Sequence, residues 1–158
     1  MIDLKDKRVW ATGGSSMVGG EVVKVLRSRG ALVFAPTHTK CELLIYDNCV
    51  QSITNFRPHY TIHCAGFNGG IHFNKKFPSD IYVRTAQMAL NVLHSCMEYQ
   101  VEKVVSVLPS CAYAALTRFG EPKQLLHEVE FLDGRPHPSV ECHGFAKRIL
   151  FEYSNQIS

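Results

Sequence analysis

The run Thr12-Gly13-Gly14-Ser15-Ser16-Met17-Val18-Gly19 joins a short apolar segment to an amphipathic one, and its residue types suit a pyrophosphate. Glycines let the backbone turn tightly and approach phosphate oxygens, while the first turn of a following helix offers N–H donors and a positive dipole end. A glycine turn can also be purely structural; its place between a strand and a helix is what favours a dinucleotide. After the second apolar segment come Thr37, His38, Thr39 and Lys40. An NAD site usually presents an acidic residue there to the ribose 2′-hydroxyl, whereas His38 and Lys40 suit a 2′-phosphate, which favours NADP(H) over NAD(H). An ordinary basic loop is the plain alternative.

His59, His63 and Cys64 are close enough in sequence to raise a zinc site, but no CxxC or HExxH spacing supports one and no metal is expected. Four of the six cysteines, Cys41, Cys49, Cys64, Cys96, Cys111 and Cys142, lie within or beside apolar periodic segments. Without a signal peptide they read as reduced thiols and not as a disulfide framework.

The elements that must position these groups alternate short β-rich runs with longer helical ones, the pattern of βαβ units and a parallel sheet. Arg8 to Thr12 reads as a strand, and Val18, Val22, Val23 and Leu26 share one face of a helix that starts at Met17 and stops at Gly30. Ala31 to Ala35 is a second strand, ended by Pro36. Asp47 or Asn48 caps a short helix through Asn55, closed by Arg57-Pro58, and Tyr60 to Cys64 is a third strand. Gly66, Gly69 and Gly70 mark a loop. Ser79 caps a long helix carrying Ile81, Met88, Val92 and Cys96, and Lys103 to Leu108 is a fourth, apolar strand. Residues 109 to 140, with four prolines and two glycines, read mostly as loop. A last helix runs from about Glu141, with Phe145, Ile149, Leu150 and Tyr153 on one side.

With 158 residues, 46% hydrophobic and 20% charged, the chain has material for one domain with a real core. Its 17 Lys and Arg and 14 Asp and Glu are scattered, which argues against a nucleic-acid partner. No apolar run approaches the roughly 20 residues of a membrane helix, and the charged N-terminus is unlike a secretory signal, so no membrane partner and a cytoplasmic location are expected.

The glycine turn ATGGSSMVGG resembles the first fingerprint of the extended short-chain dehydrogenase/reductases, the NAD-dependent epimerase/dehydratase family. The stretch from Ile62 to Ile71, followed by Asn74, Pro78 and Asp80, is similar to the "IHxAAxxGGIxxNxxxPxDF" segment of its GDP-L-fucose synthases (GDP-4-keto-6-deoxymannose epimerase/reductases). Val104 to Ala114 resembles the strand and loop that read "SSCIYP" there, and Glu128 to Lys147 leads to the YxxxK motif without a gap. The resemblance covers nearly all of residues 7 to 155. It implies a Rossmann-like α/β fold, a doubly wound parallel sheet, with Gly13, Ser15, Ser16, Met17, Val18, Gly19 and Ala65 around the cofactor.

In that family a Tyr protonates the C4 oxygen as hydride arrives from NADPH, a Lys lowers the Tyr pKa and holds the nicotinamide ribose, and a Ser hydrogen-bonds the substrate oxygen. Lys147 stands at the Lys position, but His143 occupies the Tyr position and Pro109 the Ser position, with Ser110 beside it. Proline has no side-chain donor. Histidine titrates near neutrality and could act as acid or base, although its ring is shorter than a phenol. Cys111 falls where the family keeps a cysteine for C3/C5 epimerisation; a small buried thiol is the plain alternative. Ser16 replaces the middle glycine of TGxxGxxG, and Thr85 replaces an Asn of the long helix. Gly70 and His72 lie where the family contacts the sugar nucleotide. His94, His127 and His137 read as solvated or capping groups.

Two functions follow from the resemblance: an NADP-dependent epimerase/reductase acting on a GDP-sugar, or a catalytically impaired dinucleotide-binding descendant or fragment. The family pairs the helices at about Ser79 to Tyr99 and Glu141 to Gln156 across a two-fold axis, which makes a homodimer an expectation; the same faces could instead pack on their own sheet. Families of this type run to roughly twice the length, so residues 1–158 are expected to be a dinucleotide-binding domain lacking the C-terminal substrate domain.

Overall fold

The computed structural model describes residues 3–115, 117–118, 121–122 and 126–157. It divides into two compact units: one is Met1–Gly66 with Gln87–Val107, the other Phe67–Ala86 with Leu108–Ser158.

The first unit is built on four parallel strands, β1 (Arg8–Thr12), β2 (Leu32–Phe34), β3 (Tyr60–His63) and β4 (Lys103–Ser106), in the order β2-β1-β3-β4. Val9 lies opposite both Val33 and Tyr60, and Tyr60 lies opposite Lys103. Because successive side chains of a strand face opposite ways, Val9 and Trp10 start two separate cores. On one face Val9 and Ala31 pack with Val22 and Leu26 of α1 (Met17–Ser28). On the other, Trp10 packs with Ile53 of α2 (Tyr46–Phe56) and with Val92 and Cys96. Each fully buried aliphatic side chain contributes about 1.5–3 kcal/mol to this sandwich. Helices thus cover both faces, the doubly wound arrangement.

Two helix starts differ from those that the capping residues predict. α2 starts at Tyr46 behind Ile45, which makes no side-chain cap, so neither Asp47 nor Asn48 caps it; Asp47 sits in the first turn, where its charge favours the dipole. Arg57, at φ 50°, ends it in the left-handed region ahead of Pro58. β4 is shorter than expected and not fully buried: its side chains alternate between exposed and half-buried, with Val105 46% exposed, as befits the outer strand of the described sheet.

In the second unit a helix was missed. Residues Ile71–Lys76 form α3, where Gly66 to Gly70 had suggested that the loop ran on. It is followed directly by α4 (Pro78–Glu98), whose second half, from Gln87, belongs to the first unit. Ser79 is therefore inside α4 and not its cap; Pro78 opens the helix, where the missing N–H costs nothing.

Residues 109 to 140 carry single 3-10 turns at Ser110–Ala112 and Glu128–Glu130 and a short antiparallel pair, β5 (Thr117–Arg118) with β6 (Glu121–Pro122). The loop expected at 116, 119–120 and 123–125 lies outside the described residues. α5 (Glu141–Gln156) buries His143, Ala146, Lys147 and Leu150, an i, i+3, i+4, i+7 stripe. Phe145, Ile149 and Tyr153, expected on the core face, are only half-buried. Among the described residues no helix is long and apolar enough to cross a membrane.

Candidate functional site

Strand order reverses between β1 and β3, because one crossover leaves β1 toward β2 and the next leaves β3 toward β4. In open parallel sheets the crevice beyond the strand ends at such a switch point is where ligands sit. Here those ends are tied by a buried contact of 2.8 Å between Thr12 Oγ1 and His63 Nδ1. Just beyond, Gly13 takes φ +70°, and a Cβ there would lie 2.7 Å from the Ala65 nitrogen. A Cβ on Gly19 would lie 2.1 Å from the Gly13 carbonyl oxygen. Only glycine permits this close approach of β1, the loop after β3, and α1.

Ser16 is the N-cap of α1, and its hydroxyl accepts the Gly19 N–H at 3.1 Å. The Gly20 N–H goes to the Ser16 carbonyl at 2.8 Å. The helical ladder provides no acceptor for the N–H groups of Met17 and Val18, so these two are the natural anion donors of the turn. Ser15, Ser16, Met17 and Val18 are all exposed, Met17 to 87%. The turn therefore fits a dinucleotide pyrophosphate. His38 and Lys40 are exposed in the loop after β2, where Thr37 and Thr39 share a hydrogen bond of 2.8 Å. Lys40 also edges a cleft of about 350 Å³ with Phe34, Asn48, Ser52 and Phe56.

In the second unit the 3-10 turn carrying Ser110 and Cys111 packs on α5. The contact is tight: a Cβ on Gly144 would lie 2.8 Å from the Cys111 carbonyl oxygen. Ser110 and Cys111 line a cleft of about 390 Å³ with Tyr113, Leu126, His137 and Val140. Burial pushes the Cys111 thiol up, while Lys147 pulls it the other way. Lys147 is 4% exposed. It is also one cause of the largest surprise in the site: burial first, then the Lys147 charge, lower the His143 pKa to about 4. His143 is thus a neutral imidazole near pH 7, unlike the freely titrating group expected, and its buried Nδ1 has no hydrogen-bond partner among the described residues. Pro109, extended at ψ 150°, leads into the turn without a donor of its own.

Thr85 is 1% exposed and fully engaged with loop backbone: its hydroxyl accepts the Phe67 N–H at 3.2 Å and donates to the Phe67 carbonyl at 3.1 Å. Gly70 caps α3 and His72 is exposed within it. His127 and Glu130 form a reciprocal capping box, and the Ser139 N–H donates to His137 Nδ1 at 3.2 Å. His94 is exposed, its ring 5.6 Å from that of Tyr46. All six cysteines are free, and the described residues hold no group of three or more potential metal-ligating side chains.

Sequence reasoning missed Arg148. Its side chain is 9% exposed, and its guanidinium donates to the carbonyls of Ala112 (2.7 Å), Leu132 (3.2 Å), Asp133 (3.1 Å) and Gly134 (2.7 Å). Its partners are backbone atoms, which leave no mark in a sequence, and Arg148 lies off the face that the apolar residues of α5 predict as buried.

The sequence pattern of the NAD dependent epimerase/dehydratase family matches residues 9–157, and the chain belongs to that family. Among curated relatives it is 33% identical over 156 residues to a GDP-L-fucose synthase of Azorhizobium caulinodans, covering 97% of this chain and 48% of that one. A GDP-L-fucose synthase of Dictyostelium discoideum is 30% identical over 155 residues, covering 95% and 47%. The chain thus spans about half the length of the curated relatives it matches. A GDP-L-fucose synthetase of Naegleria fowleri, solved bound to NADP, superposes with a TM-score of 0.81 at 25% identity, over 97% of this chain and 45% of that one.

Proposed function

We propose that this chain binds NADP(H) at the β1–α1 turn and serves as the cofactor-binding part of a nucleotide-sugar epimerase/reductase of the GDP-L-fucose synthase type, with a GDP-sugar as substrate. The observation that carries the reading is the glycine turn at the switch point, where Gly13 and Gly19 leave no room for a Cβ. The relatives' names support the sugar-nucleotide class, and the NADP in the Naegleria structure supports the cofactor. We assign the Met17 and Val18 N–H groups to the pyrophosphate, His38 and Lys40 to the 2′-phosphate, and Lys147 to the nicotinamide ribose. NADPH, when bound, supplies a hydride. Cys111 is the thiol available for proton exchange beside a sugar carbonyl, with Gly70 and His72 assigned to the sugar nucleotide.

A second reading is favoured by His143. A group held neutral, with pKa about 4, is a poor acid for an oxygen receiving hydride, and Pro109 offers that oxygen no donor. On this reading the chain holds the cofactor without reducing a sugar. Tyr82 and Val83 on α4 are exposed and line, with Phe145 of α5, a cleft of about 570 Å³ that also carries Lys75, Arg135 and Glu141; the exposed apolar pair supports pairing of two copies through these helices. Six free thiols suit a reducing, cytoplasmic setting.

NADPH fluorescence titration followed by an assay of NADPH consumption with GDP-4-keto-6-deoxymannose separates the readings. Saturable binding with turnover lost in Lys147→Ala supports the enzyme; binding without turnover supports the second reading. Absence of NADPH binding overturns both.

A further inference from the structure

The cleft of about 570 Å³ in the second unit is lined by α3, the first turns of α4 and the N-terminus of α5. α5 begins without a side-chain cap: Val140 supplies none, and the first helical bond runs from the Gly144 N–H to the Val140 carbonyl at 3.0 Å. The N–H groups of Glu141, Cys142 and His143 therefore have no acceptor in the ladder, and the positive end of a 16-residue helix stands at the cleft. The Glu141 carboxylate is drawn to Arg135, 3.1 Å away, and the Arg135 guanidinium lies over the Phe145 ring at 5.4 Å. That pair cancels in charge and leaves Lys75 as the surplus cation of the lining. Among the described residues Lys75 forms no ion pair.

A second observation is independent of the helix end. Asn74 of α3 lines the same cleft and is 3% exposed, and its buried Oδ1 has no hydrogen-bond partner among the described residues. A buried amide left unpaired is destabilising, so its retention points to a group that completes it. A half-turn about χ2 exchanges Oδ1 and Nδ2, and a hydroxyl, which both donates and accepts, serves either end.

We propose that this cleft is a binding site for a sugar phosphate. The phosphate meets the α5 N-terminus and Lys75, a sugar hydroxyl pairs with Asn74, and the C–H face of the ring lies on Tyr82 and Pro78, both exposed. Inorganic phosphate satisfies the α5 donors but offers Asn74 and Tyr82 no ring. A neutral sugar leaves the helix end and Lys75 unmet. The site lies apart from the glycine turn, so its failure and the failure of cofactor binding are separate results.

The test uses Cys142, which lines the cleft and is half-buried, as the reporter. The full chain is alkylated with limiting iodoacetamide at about pH 8, where a phosphate monoester is a dianion, with and without glucose 6-phosphate. Mass spectrometry of the digest reads each cysteine, and Cys64, in the first unit, is the reference. Glucose 6-phosphate is expected to slow alkylation of Cys142 several-fold and saturably and to leave Cys64 unchanged. Inorganic phosphate should protect less and glucose not at all. Lys75→Glu, at an exposed position, and Asn74→Leu, which keeps the volume and removes the unpaired amide, should abolish protection without lowering the urea midpoint. Unslowed alkylation of Cys142, equal protection of Cys64, protection by glucose or inorganic phosphate equal to that by glucose 6-phosphate, or undiminished protection in either variant would overturn the proposal. So would shielding of Cys142 that needs no sugar phosphate and grows with protein concentration, which would assign the cleft to a second copy.

Discussion

The Ser16 hydroxyl accepts the Gly19 N–H at 3.1 Å across the first turn of α1. The residue that departs from the glycine pattern thus occupies one of the helix N–H groups that an anion could otherwise use. Ser16→Gly gives up this cap at a cost of only a few tenths of a kcal/mol. It also releases the Gly19 donor, so NADPH affinity should rise roughly 2- to 10-fold by one added hydrogen bond, read by fluorescence titration. Unchanged or weaker binding would show that Gly19 never faces the cofactor.

His143 gives the chain a pH signature. Its pKa in the folded chain is about 4, against an ordinary value of 6.5, so between these values the unfolded chain binds the extra proton. Stability therefore rises with pH across that window: the contribution is complete above about pH 6.5 and is lost as pH falls through about 4. Its full size is about 3 kcal/mol. Urea denaturation at a series of pH values measures it, and His143→Gln should flatten the slope.

Thr85 holds both backbone polar groups of Phe67. In Thr85→Val the Phe67 N–H and carbonyl lose their partner while the side-chain volume is kept, a loss of about 1–3 kcal/mol. The expected readout is a lower urea midpoint with an unchanged slope. A midpoint equal to that of the parent would mean that water replaces the hydroxyl.

Gly144 marks where α5 touches the Cys111 turn. An added methyl meets the Cys111 carbonyl at 2.8 Å and Pro136 at 3.0 Å, contacts that neither rigid neighbour can relieve by rotation. Gly144→Ala should cost about 1–3 kcal/mol despite alanine's better helix propensity. Gly20→Ala, inside α1 where a Cβ meets only the Gly14 carbonyl oxygen at an ordinary 3.6 Å, is the matched control and should be near neutral or slightly stabilising.

What could be read from the sequence followed the length over which a signal is averaged. The β1–α1–β2 unit was legible because glycine punctuation and the Val22, Val23 and Leu26 stripe agree across twenty residues. α3 was not, since six residues carry too little periodicity and the preceding glycines pointed the other way. The buried stripe of α5 was misjudged because Phe145 and Ile149 outweigh Ala146 and Lys147 on any hydrophobic count, while the close fit at Gly144 forces the small face inward. Lys147, His143 and Cys111 stand out in the sequence only through the family resemblance. The neutral state of His143 was not legible, because it depends on burial that only the folded chain creates.

Arg148 sits among the carbonyls of Ala112, Leu132, Asp133 and Gly134 much as a bound metal cation sits among loop oxygens. This cation is covalently part of α5. A chelator has nothing to extract, and the loop takes its shape from the helix that carries the charge. Its oxygens keep their inward orientation only while α5 keeps its rotational register, so a rotation of that helix would reach the Cys111 turn through the Ala112 tether and residues 132–134 through the other three.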